Sequence, residues 1–170
     1  MKIKELKPNQ IVTLNDYPLH NVHVLKIFFK IFKEGYGKMI PPCPVIDKEL
    51  VVHSFDNKLK IMFNRFEDKN PQAHYLLLDG SHKTTAATIT GNKIKAMIFE
   101  SDKDVEEAKK LAEIGELFNF TLPSTLKENI NILKDHFKKK NEFQTVEEKT
   151  KKMIEEKKIP DYMIKYYRKK

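Results

Sequence analysis

The stretch that most constrains this chain runs Tyr75-Leu76-Leu77-Leu78-Asp79-Gly80-Ser81-His82-Lys83-Thr84-Thr85-Ala86-Ala87-Thr88-Ile89-Thr90-Gly91-Asn92. Tyr75 to Leu78 is a short apolar run closed by a turn dipeptide, the pattern of a buried strand. Asp79-Gly80 reverses the chain. The Ser81 hydroxyl can accept a free N–H of a first helical turn, so a helix is predicted to begin near His82. Ala86 and Ala87 favour that helix, and Gly91-Asn92, which tolerate positive φ, end it. Unpaired backbone N–H groups, hydroxyls and the Lys83 ammonium then converge at one helix N-terminus, a setting suited to a phosphate. A junction that binds nothing needs the same turn and cap. The anion reading therefore rests on the crowding of polar side chains behind the turn.

A chain of 170 residues predicts one main domain with at most a small appendage. It holds no apolar run of the ~18 residues that a spanning helix needs. Met1-Lys2-Ile3-Lys4 leads into polar residues without a signal-peptide core, so no membrane partner and a cytoplasmic location are expected. Cys43 is the only cysteine, which excludes an intramolecular disulfide and any multi-cysteine metal site. Within Pro41-Pro42-Cys43-Pro44-Val45 it reads as a small buried residue. The net charge of +8 is uneven: Thr125 to Lys170 holds 14 Lys/Arg against 8 Asp/Glu. Such a tail can meet nucleic acid through phosphate contacts, or form solvated Lys/Glu helix faces.

Along the chain, Lys2 to Pro8 and Ile11 to Leu14 predict short strands. Val22, Leu25, Phe28, Phe29 and Phe32 predict an amphipathic helix over Leu19 to Lys33, ended by Gly35. His20 and His23 would share its face, a spacing that permits a metal pair or two ordinary exposed histidines. Val45 and Ile46 enter the sheet. Leu50 to Phe55 and Leu59 to Phe63 predict two strands around an Asp56-Asn57-Lys58 hairpin turn, with Arg65 to Gln72 as a surface loop. Lys93 to Phe99 alternates as a strand, and Ser101 or Asp102 caps the next helix. Leu122-Pro123 marks a boundary between a mixed domain over residues 1–122 and a basic helical extension over 123–170. The extension holds helices near Thr125 to Lys140, Val146 to Lys158 (with little beyond Val146, Met153 and Ile154 to bury), and one opened by Pro160-Asp161. The fold class is α+β. Tyr162, Tyr166 and Tyr167 serve either a docking surface or the chain's own core.

The order of these parts resembles the ParB/sulfiredoxin-like superfamily over about residues 1 to 115. The resemblance rests on an N-terminal strand, a helix ending at Glu34-Gly35, and the Pro41-Pro42-Cys43-Pro44-Val45 entry to a strand. It continues through the apolar strand into Asp79-Gly80-Ser81-His82-Lys83, the Gly91 turn, the strand Ile94 to Phe99, and the acidic-start helix from Asp102. It implies a mixed sheet with helices and a nucleotide-phosphate turn of the Gly-x-x-Arg type at Gly80 to Lys83. Ser81 stands where sulfiredoxins carry a catalytic Cys, and a hydroxyl cannot replace a thiolate, which argues against that activity. Lys83 keeps the charge of the partition proteins' Arg without its bidentate fork, and no helix-turn-helix follows. Free-serine kinases of the superfamily carry Asp-Gly-His in this turn; here Asp79-Gly80 matches and His82 lies one position on. Their catalytic Glu would fall near Asn15-Asp16-Tyr17-Pro18-Leu19-His20, where Asp16 is the carboxylate present.

The reading that follows is a nucleotide-binding enzyme, an ATP- or ADP-dependent phosphotransferase acting on a small hydroxylated metabolite. Gly80, Ser81, His82, Lys83, Thr84 and Thr85 would hold the phosphates, with Mg²⁺ between phosphate oxygens and Asp79 as its protein ligand. His82 would contact phosphate or act as acid/base, and Asp16 would serve as base for the substrate hydroxyl. The alternative is a ParB-like DNA-binding protein or nuclease that grips nucleic acid with its basic C-terminal helices. A third reading is a nucleotide-binding module without catalysis, whose helices dock a partner.

Overall fold

The computed structural model describes residues 1–115 and 122–169. Its architecture follows from strands that are apolar on both faces. In β5 (Ile94–Phe99), Ile94, Ala96 and Ile98 enter one core and Met97 and Phe99 the other, while Lys95 is exposed. β3 (Cys43–Asp47) divides likewise, Cys43 and Val45 on one side and Ile46 on the other. Strands of this kind must be covered on both faces. With β1 (Lys2–Leu6), β2 (Ile11–Val12) and β4 (Tyr75–Leu77) they form one mixed sheet in the order β1-β5-β3-β4-β2. β1 pairs antiparallel with β5 and β4 antiparallel with β3; the β3–β5 and β2–β4 pairs are parallel. β3 begins earlier than its prolines suggest. The Pro44 carbonyl accepts the Leu78 N–H at 3.0 Å, so only the missing donor is lost, near the strand's start.

One face is covered by α1 (Val22–Lys33), α4 (Ser81–Thr90), α7 (Val146–Glu155) and α8 (Asp161–Arg168). The other is covered by α2 (Lys48–Val52), α3 (Asn57–Lys69), α5 (Asp102–Glu113) and α6 (Leu126–Lys140). The helices after Pro123 therefore lie on both faces. Leu133 and Phe137 enter one core; Val146, Met153, Ile154, Met163 and Ile164 enter the other. Thr125 and Thr145 start α6 and α7 with capping boxes closed by Glu128 and Glu148. Tyr162 and Tyr166 pack edge-on against Phe29, at 5.7 and 5.3 Å between ring centroids.

Three sequence expectations are corrected. The expected hairpin over Leu50 to Phe63 is helical. Asp47 caps α2 through the Glu49 N–H, and Asp56 caps α3 through the Leu59 N–H at 2.9 Å. Leu59, Phe63 and Phe66 then bury one helical stripe, so the expected surface loop from Arg65 is mostly the end of α3. The helix expected from Leu19 starts at Val22, because Asn21 accepts the His23 and Val24 N–H groups. His20 thus lies outside the helix that holds His23. Finally, α7 buries Lys149 and Thr150 as well as its apolar residues. Among the described residues no helix is long and apolar enough to cross a membrane.

Phe137 is fully buried and its ring stacks on Phe143 at 4.6 Å. Phe137→Ala is expected to lower unfolding stability by ~3–5 kcal/mol. Chemical denaturation checks this, and a loss below about 1 kcal/mol would contradict the packing of α6 on the sheet.

Candidate functional site at the start of helix α4

Gly80 makes the turn between β4 and α4. Its φ of 108° is left-handed, and a Cβ there would sit 2.6 Å from the Cys43 Sγ, so both backbone angle and packing demand glycine. Gly80, not Ser81, is the helix N-cap, which corrects the expected Ser81 cap. With no capping side chain, the N–H groups of Ser81, His82 and Lys83 meet no acceptor among the described residues.

Side chains add to these free donors. α4 is buried nearly all round, and most of its hydroxyls are satisfied inside the helix. Thr84 donates to the Ser81 carbonyl (3.1 Å), Thr88 to that of Thr84 (2.8 Å) and Thr90 to that of Ala86 (2.7 Å). Ser81, as first helical residue, has no preceding helical turn to donate into. It is 6% exposed, and its Oγ has no hydrogen-bond partner. The His82 Nε2 is likewise buried without a partner. Leaving such groups unpaired costs about 1–3 kcal/mol each.

The loop after β2 faces this helix start. The Lys149 ammonium, on α7, is buried; it donates to the Leu14 carbonyl at 3.0 Å and is paired with the Asp16 carboxylate. Burial lowers its pKa, and Asp16 opposes that fall. The His20 ring meets the His82 ring edge-on at 5.1 Å. Burial, then His20, lowers the His82 pKa against the pull of Asp16 and Asp79. His136, on α6, accepts the Asn15 N–H on Nε2 at 2.9 Å, and burial lowers its pKa too. Tyr17 donates to Glu156, beneath the Lys152 ammonium (4.9 Å from its ring); burial, then that bond, pushes its pKa up to about 12. Both histidines are thus held neutral around one ionic pair.

The expected residues fall into two groups. Asp16 comes close to His82, Ser81 precedes His82 at the start of the helix, and Asp79 is exposed at the turn with no hydrogen bond to its carboxylate among the described residues. Lys83 turns another way. Its Nζ donates to the Pro41 carbonyl at 3.3 Å and lines a separate cavity. Thr84 and Thr85 are each 1% exposed, inside the helix packing. Cys43 is buried as expected, and burial raises its thiol to about 11. His20 and His23 do not form the pair that helical spacing allowed. No group of three or more His, Cys, Asp or Glu poised for a metal exists among the described residues. The residues therefore do not fit a resident metal site, and a cation brought by phosphates would find Asp79 at the turn.

Lys149 and His136 escaped sequence reasoning, which placed His20 beside His23 and not beside His82. Lys149 looks like one more charge on a Lys/Glu helix, and only its position one turn after the Thr145 cap, beside Thr150 on the apolar side, sets it apart. No family model, curated protein or solved structure matches this chain.

Two outcomes follow from this geometry. Asp16→Asn strands a buried ammonium and is expected to cost ~3–5 kcal/mol. Lys149→Met leaves a carboxylate whose side chain is 33% exposed and can rehydrate, so it should cost less. Denaturation curves giving the reverse order would contradict the assignment of Lys149 as the buried partner. The histidines set an acid response. The unfolded chain protonates both imidazoles near pH 6.5, before the folded protein does, so stability falls as pH drops below 6.5 until the lower folded pKa values are passed. His82→Gln with His136→Gln should flatten that slope in melting temperature against pH; an unchanged slope would assign it to other groups.

Proposed function

We propose that the α4 N-terminus binds the phosphates of a nucleotide, ATP or ADP, and that the protein is a phosphotransferase acting on a small hydroxylated metabolite. The observation that carries this reading is the unpartnered Ser81 Oγ and His82 Nε2 beside three free N–H groups. A phosphate would satisfy them together, whereas water or an apolar ligand satisfies fewer. The likeness of Asp79-Gly80-Ser81-His82-Lys83 to the phosphate turn of the ParB/sulfiredoxin-like superfamily supports the same site. Phosphoryl transfer asks mainly for positioning and charge neutralisation. With Nε2–H donating to the phosphate, the Nδ1 lone pair of neutral His82 would accept a hydroxyl proton better than Asp16, whose carboxylate the Lys149 pair occupies. In this reading Asp16 positions the site and stabilises an imidazolium as it forms. Mg²⁺, if it came with the nucleotide, would neutralise phosphate charge, and Asp79 would be its protein ligand.

A DNA-binding or nuclease role is the second reading, favoured by the exposed Lys138-Lys139-Lys140 run. Those lysines end α6, where cations also complement the helix dipole, so they have a local reason to be there.

Titration calorimetry with ATP and ADP, with and without Mg²⁺, tests the primary reading. Ser81→Ala and His82→Ala should each weaken binding by about tenfold or more. Ser81→Ala should also stabilise the free protein by ~1 kcal/mol, since it removes an unpaired buried hydroxyl. Unchanged titrations across both variants would remove the nucleotide from this site, and salt-sensitive binding of duplex DNA in its place would favour the second reading.

A further inference from the structure

On the far side of Lys83 from Ser81, a cavity of about 550 Å³ opens between the edge strand β1, the end of α1 and the C-terminal end of α4. Lys4, Lys38, Lys83 and Lys93 line it; Lys95 and its cross-strand neighbour Glu5 also border it, but they alternate with Ile94, Ala96 and Leu6 and so lie on the other face of the sheet. None of these four lysines is in an ion pair among the described residues; Lys4 donates to the Tyr75 hydroxyl at 3.0 Å and Lys83 to the Pro41 carbonyl. Four lysines without an ion-pair partner around one concavity repel one another, and a concave protein wall focuses their field. Folding alone gives no reason for that arrangement, because lysines on a free surface would spread.

We infer that this cavity is a second anion site, which takes a small ligand carrying two or more phosphate groups. Lysine binds phosphate as a point charge, so several lysines suit a ligand whose charge is distributed over several groups. The volume lies within the ~300–1,000 Å³ of small-molecule pockets and suits a compact ligand. Phe32 and Ile94 add an apolar lining for a non-phosphate part. Gly35, with φ of 86°, has nothing within 4 Å of where a Cβ would be, so the backbone at that corner is open to approach. Along α4 the cavity takes Lys83, Ala87 and Gly91, one helical stripe, while Ser81 and His82 belong to the site described above. The two sites meet only at Lys83, and the cavity's assignment does not rest on the nucleotide reading.

The test is titration of inorganic tripolyphosphate into the ¹⁵N-labelled full chain at about 0.15 M salt. Saturable shifts are expected at the Gly35, Gly91 and Asn92 amides, which border the cavity, apart from any at Gly80, Ser81 and His82. Lys38→Glu with Lys93→Glu, both exposed in the folded protein, should weaken the first set by about tenfold or more and leave the second set unchanged. Ser81→Ala should do the opposite, so failure of one site is distinguishable from failure of the other. Lys93→Gln, a milder change, should give a smaller loss in the same direction. Absent or non-saturating shifts at the cavity amides, or equal affinity in the lysine variants, would overturn the assignment. So would a short single-stranded oligonucleotide that shifts the same amides at lower concentration than tripolyphosphate.

Discussion

Lys149 joins the C-terminal helices to the loop that faces α4. An ammonium taken out of water carries a desolvation cost of several kcal/mol and is tolerated only with close, oriented acceptors. Here the acceptors are the Leu14 carbonyl and the Asp16 carboxylate, so the loop after β2 is fixed in place by the same contacts that make burial of Lys149 possible. Neighbouring bonds repeat the tie. The Thr13 N–H donates to the Gln144 carbonyl, the Asn15 side chain to the Glu142 carbonyl, and the Gln144 side chain to the Asn15 Oδ1. A segment without regular structure is thereby held as firmly as a strand, and Asp16 and His20 inherit defined positions from it.

Helix α4 meets a related constraint in the opposite way. A helix packed against α1, α7 and α8 cannot keep polar side chains unless each finds a partner. Thr84, Thr88 and Thr90 back-bond to their own helix, which makes a hydroxyl-rich sequence compatible with burial. Ser81 cannot, because it begins the helix, and the left-handed Gly80 offers no capping side chain. The unsatisfied groups therefore collect at one point as a direct consequence of where the helix begins. A more stable protein would have a cap at Gly80 or an alanine at Ser81. Sites that trade stability for exposed binding capacity have this form.

Legibility in the sequence followed the range of the interactions. The strand–turn–helix unit from Tyr75 to Gly91, β5, α5 and α6 were all readable, because period, caps and glycines are local signals. The α2–α3 region was misread because Leu50-Val51-Val52 favours strands by composition, while the caps at Asp47 and Asp56 that decide the matter look like ordinary turn residues. At the candidate site, Asp79, Ser81 and His82 were named from the turn, and Asp16 only through the family resemblance. Lys149 and His136 were not. Their roles depend on contacts spanning more than a hundred residues, and nothing in the immediate sequence separates a buried lysine from its solvated neighbours Lys151 and Lys152.

The placement of Lys83 shows why one short motif can be read two ways. Successive residues on a helix point about 100° apart, so Ser81, His82 and Lys83 cannot all serve one small ligand through their side chains. In the fold His82 lies on the side of Asp16 and Lys149, and Lys83 turns to the cavity bordered by β1 and the end of α1. Only the backbone N–H groups, which point along the axis, are common to both directions. A phosphate at the helix start can thus draw on the Lys83 amide while its ammonium is engaged elsewhere. The lysine that sequence reasoning assigned to the phosphate turn keeps its amide at the helix start and directs its ammonium to the Pro41 carbonyl and the cavity.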